Sequence, residues 1–240
     1  SLYIYSSAIP IESDRFEDFY DKENVLSRPE YLKNLSENHK IIGITGTHGK
    51  TSTTALLSHI FHFNNVNVSY LYGGITTFNG IGGHYGDPDQ PLILETDEAF
   101  NTFEKIKISD LLVLNVDSDH LDYFKNLDNY KDAFYKVMKN VTDNLVINND
   151  DLNIKSMKEL KNPVSYGKDI AADFKVQSPG TFIYENNKYE IKSDIIGDHF
   201  KANMLGAIIL ALLNGIEIKD SLNAIESFAG VKRRIELIGI

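Results

Sequence analysis

Residues 45–52, Thr-Gly-Thr-His-Gly-Lys-Thr-Ser, place glycines, a lysine and hydroxyls in the order that a bound polyphosphate requires. Gly46 and Gly49 let backbone N–H groups turn inward with no Cβ in the way. Lys50 brings a cation to terminal phosphates, and the Thr51 hydroxyl is an oxygen donor suited to Mg²⁺. The spacing departs from the usual P-loop, which wants a glycine where this chain has Ile44. A glycine-containing turn with a chance Lys-Thr is the plainer alternative. Context favours the phosphate reading. The apolar run at 41–44 predicts a strand before the loop, and residues 52–61 predict a helix after it, whose N-terminus adds partial positive charge.

Other polar residues fall at predicted element ends. Glu95-Thr-Asp-Glu98 follows a strand predicted over 91–95, where an open α/β sheet faces its ligand crevice and a hard cation needs carboxylate oxygen; a solvated acidic turn is the competing use. Asp117-Ser-Asp-His-Leu-Asp122 follows a strand predicted over 111–116. His120, flanked by Asp119 and Asp122, is placed to bind metal, while capping of the next helix by Asp119 explains the cluster equally simply. His199 and Asn203 are spaced to share one face of a helix beginning near 197–198. The Asn203 carboxamide offers a donor and an acceptor to an adenine edge, or is merely part of a polar helix start. Arg234, with Arg233, forks well onto phosphate, although a basic pair is ordinarily a solvated surface feature. Residues 73–86 hold six glycines, which suit either a loop covering a ligand or a flexible surface connection.

The elements that position these residues follow from periodicity. Strands are predicted at 2–5, 40–45, 66–72, 91–95, 111–116, 145–148 and 164–166. Helices are predicted at 15–21, 29–35, 50–64, 128–140, 151–160, 201–213 and 221–228, with Ser27 as N-cap of the second and Pro29 in its first turn. Strand–helix alternation from residue 40 onward implies an α/β fold with a doubly wound, mostly parallel sheet. Residues 174–176, 181–184 and 188–192 alternate apolar and polar side chains, predicting a small appended antiparallel sheet with Asn186-Asn187 as a hairpin turn.

The 240 residues are 42% hydrophobic, enough for a sizeable core. A net charge of −10 opposes binding to nucleic acid or an anionic membrane through bulk electrostatics. The absence of cysteine excludes a disulfide framework, thiolate metal ligands and a cysteine nucleophile, and fits a cytoplasmic location. No apolar run has the length of a membrane helix, and residues 1–10 lack the pattern of a secretory signal. They read as a strand and loop from within a domain.

In order along the chain, Thr45-Gly-Thr-His-Gly-Lys-Thr51, Glu95-Thr-Asp-Glu98, Asp119-His-Leu-Asp122, His199 with Asn203, and Gly230-Val-Lys-Arg-Arg234 resemble the motifs of the Mur ligases. These are the ATP-dependent amide-forming ligases of peptidoglycan synthesis. Ser6-Ser-Ala-Ile-Pro10 is similar to the end of that family's first domain. The branch that adds L-alanine to UDP-N-acetylmuramate looks nearest, with the branch attaching recycled tripeptide as its competitor. The resemblance implies that Gly46, Thr47, His48, Gly49, Lys50, Thr51 and Ser52 wrap the ATP phosphates. It further implies that Thr51 and Glu95 hold one Mg²⁺ and His120 a second, that Asn203 and His199 meet the adenine, and that Arg234 approaches the phosphates. Lys50, Glu95 and His120 would then serve catalysis through an acyl phosphate.

The resemblance also implies a division into residues 1–36, a remnant of a UDP-binding domain; 37–231, a central ATP-binding domain; and 232–240, the start of a third. Such a piece is expected to bind ATP·Mg weakly and not to ligate alone. One departure is Ala99-Phe100, where the alanine-adding branch carries Ser-Asp. Another P-loop phosphotransferase, and a nucleotide-binding module without chemistry, are the alternatives.

Overall fold

The computed structural model describes residues 2–6, 24–74, 80–96, 106–117, 126–157, 160–231 and 235–236. The helix expected at 15–21, most of the sequence around Ala99-Phe100, the His120 cluster and the Arg233-Arg234 pair lie outside the described residues.

Strands β1 (Tyr3–Tyr5) and β2 (Val25–Ser27) form a small parallel pair ahead of helix α1 (Arg28–Asn38). Ser27 caps α1 as expected. Its hydroxyl accepts from Glu30 N, the Glu30 carboxylate accepts from Ser27 N, and Pro29 occupies the first turn, where no N–H is needed. The main body then alternates: β3 (Ile41–Thr45), α2 (Lys50–Phe63), β4 (Ser69–Leu71), β5 (Gly83–His84), β6 (Leu92–Glu95), β7 (Asp110–Val113), α3 (Leu127–Lys139), β8 (Asn144–Asn148), α4 (Leu152–Lys155) and β9 (Val164–Gly167). It continues through β10 (Phe174–Ser178), β11 (Thr181–Tyr184), β12 (Asn187–Glu190), α5 (Asp198–Leu213), α6 (Ile218–Glu226), β13 (Gly230–Val231) and β14 (Ile235–Glu236).

A sheet of ten strands runs in the order β12-β11-β10-β9-β8-β7-β3-β6-β4-β5. Pairing is parallel from β4 through β6, β3, β7, β8 and β9 to β10, and antiparallel at both ends. The antiparallel strands expected at 174–192 are therefore fused edge-on to the main sheet through β9 and β10. Burial on both faces follows from alternation along each central strand. Ile42 and Ile44 of β3, Leu112 of β7 and Val146 of β8 face a core shared with α2, α5 and α6. Ile41, Leu111, Val113, Leu145 and Ile147 face a second core with Leu32 of α1 and Tyr130 and Phe134 of α3.

Several boundaries differ from expectation for local reasons. β7 ends at Val113, and beyond it Asn115 and Asp117 hold the loop after β3. Helix α4 spans Leu152–Lys155 within the expected 151–160; Asp151 caps it, and the Ser156 hydroxyl donates to the Asn153 carbonyl at its end. α5 starts at Asp198, directly after Gly197 at φ 125°, as the His199–Asn203 spacing expects and three residues before the range from periodicity. In the hairpin the positive φ values fall on Glu185 (47°) and Asn186 (65°), so the two-residue turn lies one position earlier than Asn186-Asn187 and Asn187 opens β12. Among the described residues no helix is long and apolar enough to cross a membrane.

Candidate functional site

The sheet's connections change direction around β3: the chain passes from β3 by way of α2 to β4 on one side, and from β6 to β7 on the other. Ligands of open α/β sheets sit outside the carboxyl ends of the strands at such a point. Residues 46–49 occupy it, between β3 and α2. Gly46 has φ 141° and Gly49 φ 88°, and Gly49 stands where an N-cap side chain would be. A Cβ on Gly49 would collide with Asn203 Nδ2, so both the backbone angle and the approach of α5 require glycine here.

Lys50 folds back over the loop, its ammonium donating to the Gly46 carbonyl (2.7 Å) and the Thr47 carbonyl (3.4 Å). The Thr51 hydroxyl donates to Glu95 Oε1 (2.6 Å), and Glu95 Oε2 accepts from Gly73 N (2.6 Å). The last residue of β6 thus joins the first turn of α2 to the start of the glycine-rich segment. Two oxygen-bearing side chains side by side at a sheet's ligand edge fit a hard divalent cation. The Thr51 hydroxyl uses its proton on Glu95 and keeps its lone pairs. Among the described residues no cluster of three or more His, Cys, Asp or Glu forms a fuller metal site.

The glycine-rich segment is only partly described, with residues 75–79 outside. What is described folds back on β4: β5 pairs with it antiparallel, and a Cβ on Gly82 would collide with the carbonyl oxygens of Tyr72 and Gly74. Gly82 is required by close backbone approach.

His199 and Asn203 both belong to the start of α5 but line different cavities. Asn203, with Ser52, Thr53, Phe200, Phe228 and Val231, lines a small cleft of about 20 Å³ between the N-termini of α2 and α5. His199 lines a larger one, about 200 Å³, over β9–β11, whose walls include no residue of the phosphate loop. The smaller cavity is the one next to the loop.

Asn115 escaped the sequence reading. Its side chain accepts from His48 N (2.8 Å) and donates to the His48 carbonyl (2.9 Å), while its carbonyl accepts from Thr47 N (3.0 Å). Thr47 in turn accepts at its hydroxyl from Asp117 N (2.8 Å) and meets the Tyr130 hydroxyl (3.1 Å). The sequence signal was a polar residue following directly on the apolar run 111–114.

The fold and the loop are those of a P-loop α/β domain. Residues 44–211 match the Mur ligase middle domain, and the chain belongs to the Mur ligase family. It is 35% identical over 254 aligned positions to a UDP-N-acetylmuramate–L-alanine ligase of Clostridium botulinum (strain Langeland), covering 99% of this chain and 55% of that protein. The chain thus spans about half the length of the curated relatives it matches. In structure it is similar to UDP-N-acetylmuramate-alanine ligase from Thermotoga maritima, with TM-score 0.82 and 24% identity over 99% of this chain and 57% of the other. It is also similar to UDP-N-acetylmuramate:L-alanyl-gamma-D-glutamyl-meso-diaminopimelate ligase from Neisseria meningitides, with TM-score 0.80 and 21% identity over 96% and 80%.

Proposed function

We propose that this chain is the nucleotide-binding portion of an ATP-dependent ligase that joins L-alanine to UDP-N-acetylmuramate in peptidoglycan synthesis, acting in the cytoplasm. The observation that carries the reading is the Thr51–Glu95 pair at 2.6 Å beside the Lys50 loop. Identity to alanine-adding ligases over almost the whole chain supports the choice of branch. Fold does not separate that branch from the tripeptide ligases, since both are matched almost equally well.

In this reading the first turn of α2 and the loop before it bind the ATP phosphates. The Lys50 ammonium, resting on the Gly46 and Thr47 carbonyls, turns toward the terminal phosphate. Adenine lies against the start of α5, where Asn203 stands beside Gly49 and its carboxamide can pair with the base edge. Thr51 and Glu95, with His120, are the residues that would hold Mg²⁺, which when bound neutralises charge on the transferring phosphoryl group. The lactyl carboxylate of the muramyl nucleotide takes the γ-phosphoryl group and ADP leaves. The amine of alanine then attacks the acyl carbon, and phosphate and a proton depart. The protein's share is positioning and electrostatic stabilisation.

The proposed domain runs from α1 rather than from residue 37, because Leu32 sits in the core beneath the central sheet and Ser36 Oγ accepts from Lys107 N. Residue 231 is retained as its far limit.

The test is ADP formation by the protein carrying this chain. The account expects ADP only when UDP-N-acetylmuramate and L-alanine are both present. Formation with the tripeptide in place of alanine would transfer the assignment to the recycling branch, and formation without a muramyl nucleotide would point to a different phosphotransferase.

A further inference from the structure

The backbone of the phosphate loop is pinned by a side chain that has no acid–base chemistry of its own. We propose that Asn115 is the positioning residue of the polyphosphate site. It fixes the His48 peptide so that the loop's carbonyls are turned away from the anion and the donors offered to phosphate begin at Gly49. This rests on the nucleotide reading given above.

A carboxamide carries a donor and an acceptor side by side, enough to grip the backbone N–H and C=O of one residue at once. Asn115 uses both on His48, and its own carbonyl takes the Thr47 amide. The amides of Thr47 and His48 are therefore directed at β7's extension. A Cβ on Gly46 would stand 3.0 Å from the Asn115 carbonyl oxygen, so three consecutive loop residues lie against this one residue.

The carbonyls show the same division of labour. Gly46 O and Thr47 O take the Lys50 ammonium, His48 O takes Asn115 Nδ2, and Gly49 O takes the amide and hydroxyl of Thr53. Each carbonyl dipole from 46 to 49 is bound to a protein donor. The first-turn amides at Thr51 and Ser52 have no acceptor within the helix by its geometry, and the helix dipole adds to their pull on an anion.

Asn115 is itself held from several sides. Leu114 N donates to Thr45 O (3.0 Å), and Asn148 Nδ2 donates to Leu114 O (3.2 Å). Val116 N donates to Asp151 Oδ2 (3.1 Å), and Asn153 Nδ2 donates to Val116 O (2.6 Å). A residue braced in this way can impose one orientation on the loop that it grips. Loss of its side chain frees the His48–Gly49 peptide to rotate and turn the His48 carbonyl toward the phosphates. An aspartate keeps the bond from His48 N–H but sets a negative charge against the His48 carbonyl and the incoming anion.

The experiment measures affinity for Mg·ATP and for inorganic triphosphate, well below each variant's melting temperature, together with hydrogen exchange at the His48 amide. Asn115→Ala is expected to weaken both ligands about tenfold, the scale of one or two net hydrogen bonds, and to speed exchange at His48. Asn115→Asp, nearly isosteric, is expected to weaken them further and keeps the test available should the alanine variant fail to fold. Wild-type affinity in either variant, whatever its melting temperature, overturns the proposal by leaving Asn115 a purely structural role. Lys50→Ala is the control: if it binds ATP as the wild type does, the nucleotide reading itself has failed and this inference falls with it.

Discussion

Two carboxylates sit at opposite edges of the same parallel sheet and are treated differently by it. Asp110 opens β7 at the amino edge and is fully buried. It accepts from Lys40 Nζ (3.0 Å), Asn144 Nδ2 (2.7 Å) and Asn214 Nδ2 (2.9 Å). Those partners come from before β3, from β8 and from the end of α5, so this carboxylate ties separate elements together. Glu95 closes β6 at the carboxyl edge, partly exposed, and accepts from one hydroxyl and one loop amide. A cation can take over Glu95 without leaving a buried donor stranded, because the Thr51 hydroxyl can itself turn a lone pair toward that cation. At Asp110 any exchange strands several. The contrast explains why one acid belongs to the scaffold and the other is available for chemistry.

The comparison makes unequal predictions for the two edges. The largest effect is expected from Asp110→Ala. Removing one member of a buried, charged hydrogen-bond network costs about 3 kcal/mol, readable as a lower urea midpoint, while the folded variant keeps its ATP affinity. A variant that lost ATP binding but kept its stability would reverse the roles given to the two edges. Lys50→Ala should do the opposite. ATP at a hundred times its dissociation constant stabilises a folded protein by about 2.7 kcal/mol, and that increment should vanish from the thermal shift while the unliganded melting curve barely moves.

A smaller effect is expected from the helical layer between the edges. His59 of α2 places Nε2 3.0 Å from Ala224 O and 2.9 Å from Ser227 Oγ, fastening the end of α6. Burial, with a lesser contribution from nearby His62, pushes its pKa below the ordinary 6.5, against the raising influence of the Ala224 carbonyl. The folded state then binds fewer protons than the unfolded chain. The corresponding stability is present above the unfolded value and is lost as pH falls through it toward the folded value. Urea midpoints at pH 7.5 and about pH 5.5 should show this acid loss, and His59→Gln should reduce it. An equal loss in both would assign the pH dependence to other groups.

Much of this was legible in the residues. Strand, glycine turn, Gly49-Lys50-Thr51 and helix are a local pattern, and local geometry decides them. Ser27 and Pro29 spelled out the start of α1 in the same way. Less was legible where partners are distant in sequence. Asn115 and His48 are separated by 67 positions, and nothing near Asn115 says which loop it faces. The alternation in 174–192 predicted antiparallel strands correctly, yet the fusion to the main sheet depends on β10 pairing with β9, a register set by packing. His199 and Asn203 have helix-face spacing, but each lines a different cavity, so spacing alone could not assign them to one ligand.

The central claim is that Glu95 and Thr51 make nucleotide binding depend on a divalent cation. The most direct measurement is calorimetric titration of ATP into wild type and Glu95→Gln, each with and without Mg²⁺. The account predicts that Mg²⁺ tightens ATP binding about tenfold or more in the wild type and adds little in Glu95→Gln, with both proteins equally stable without ligand. An equal gain from Mg²⁺ in the two proteins would contradict it.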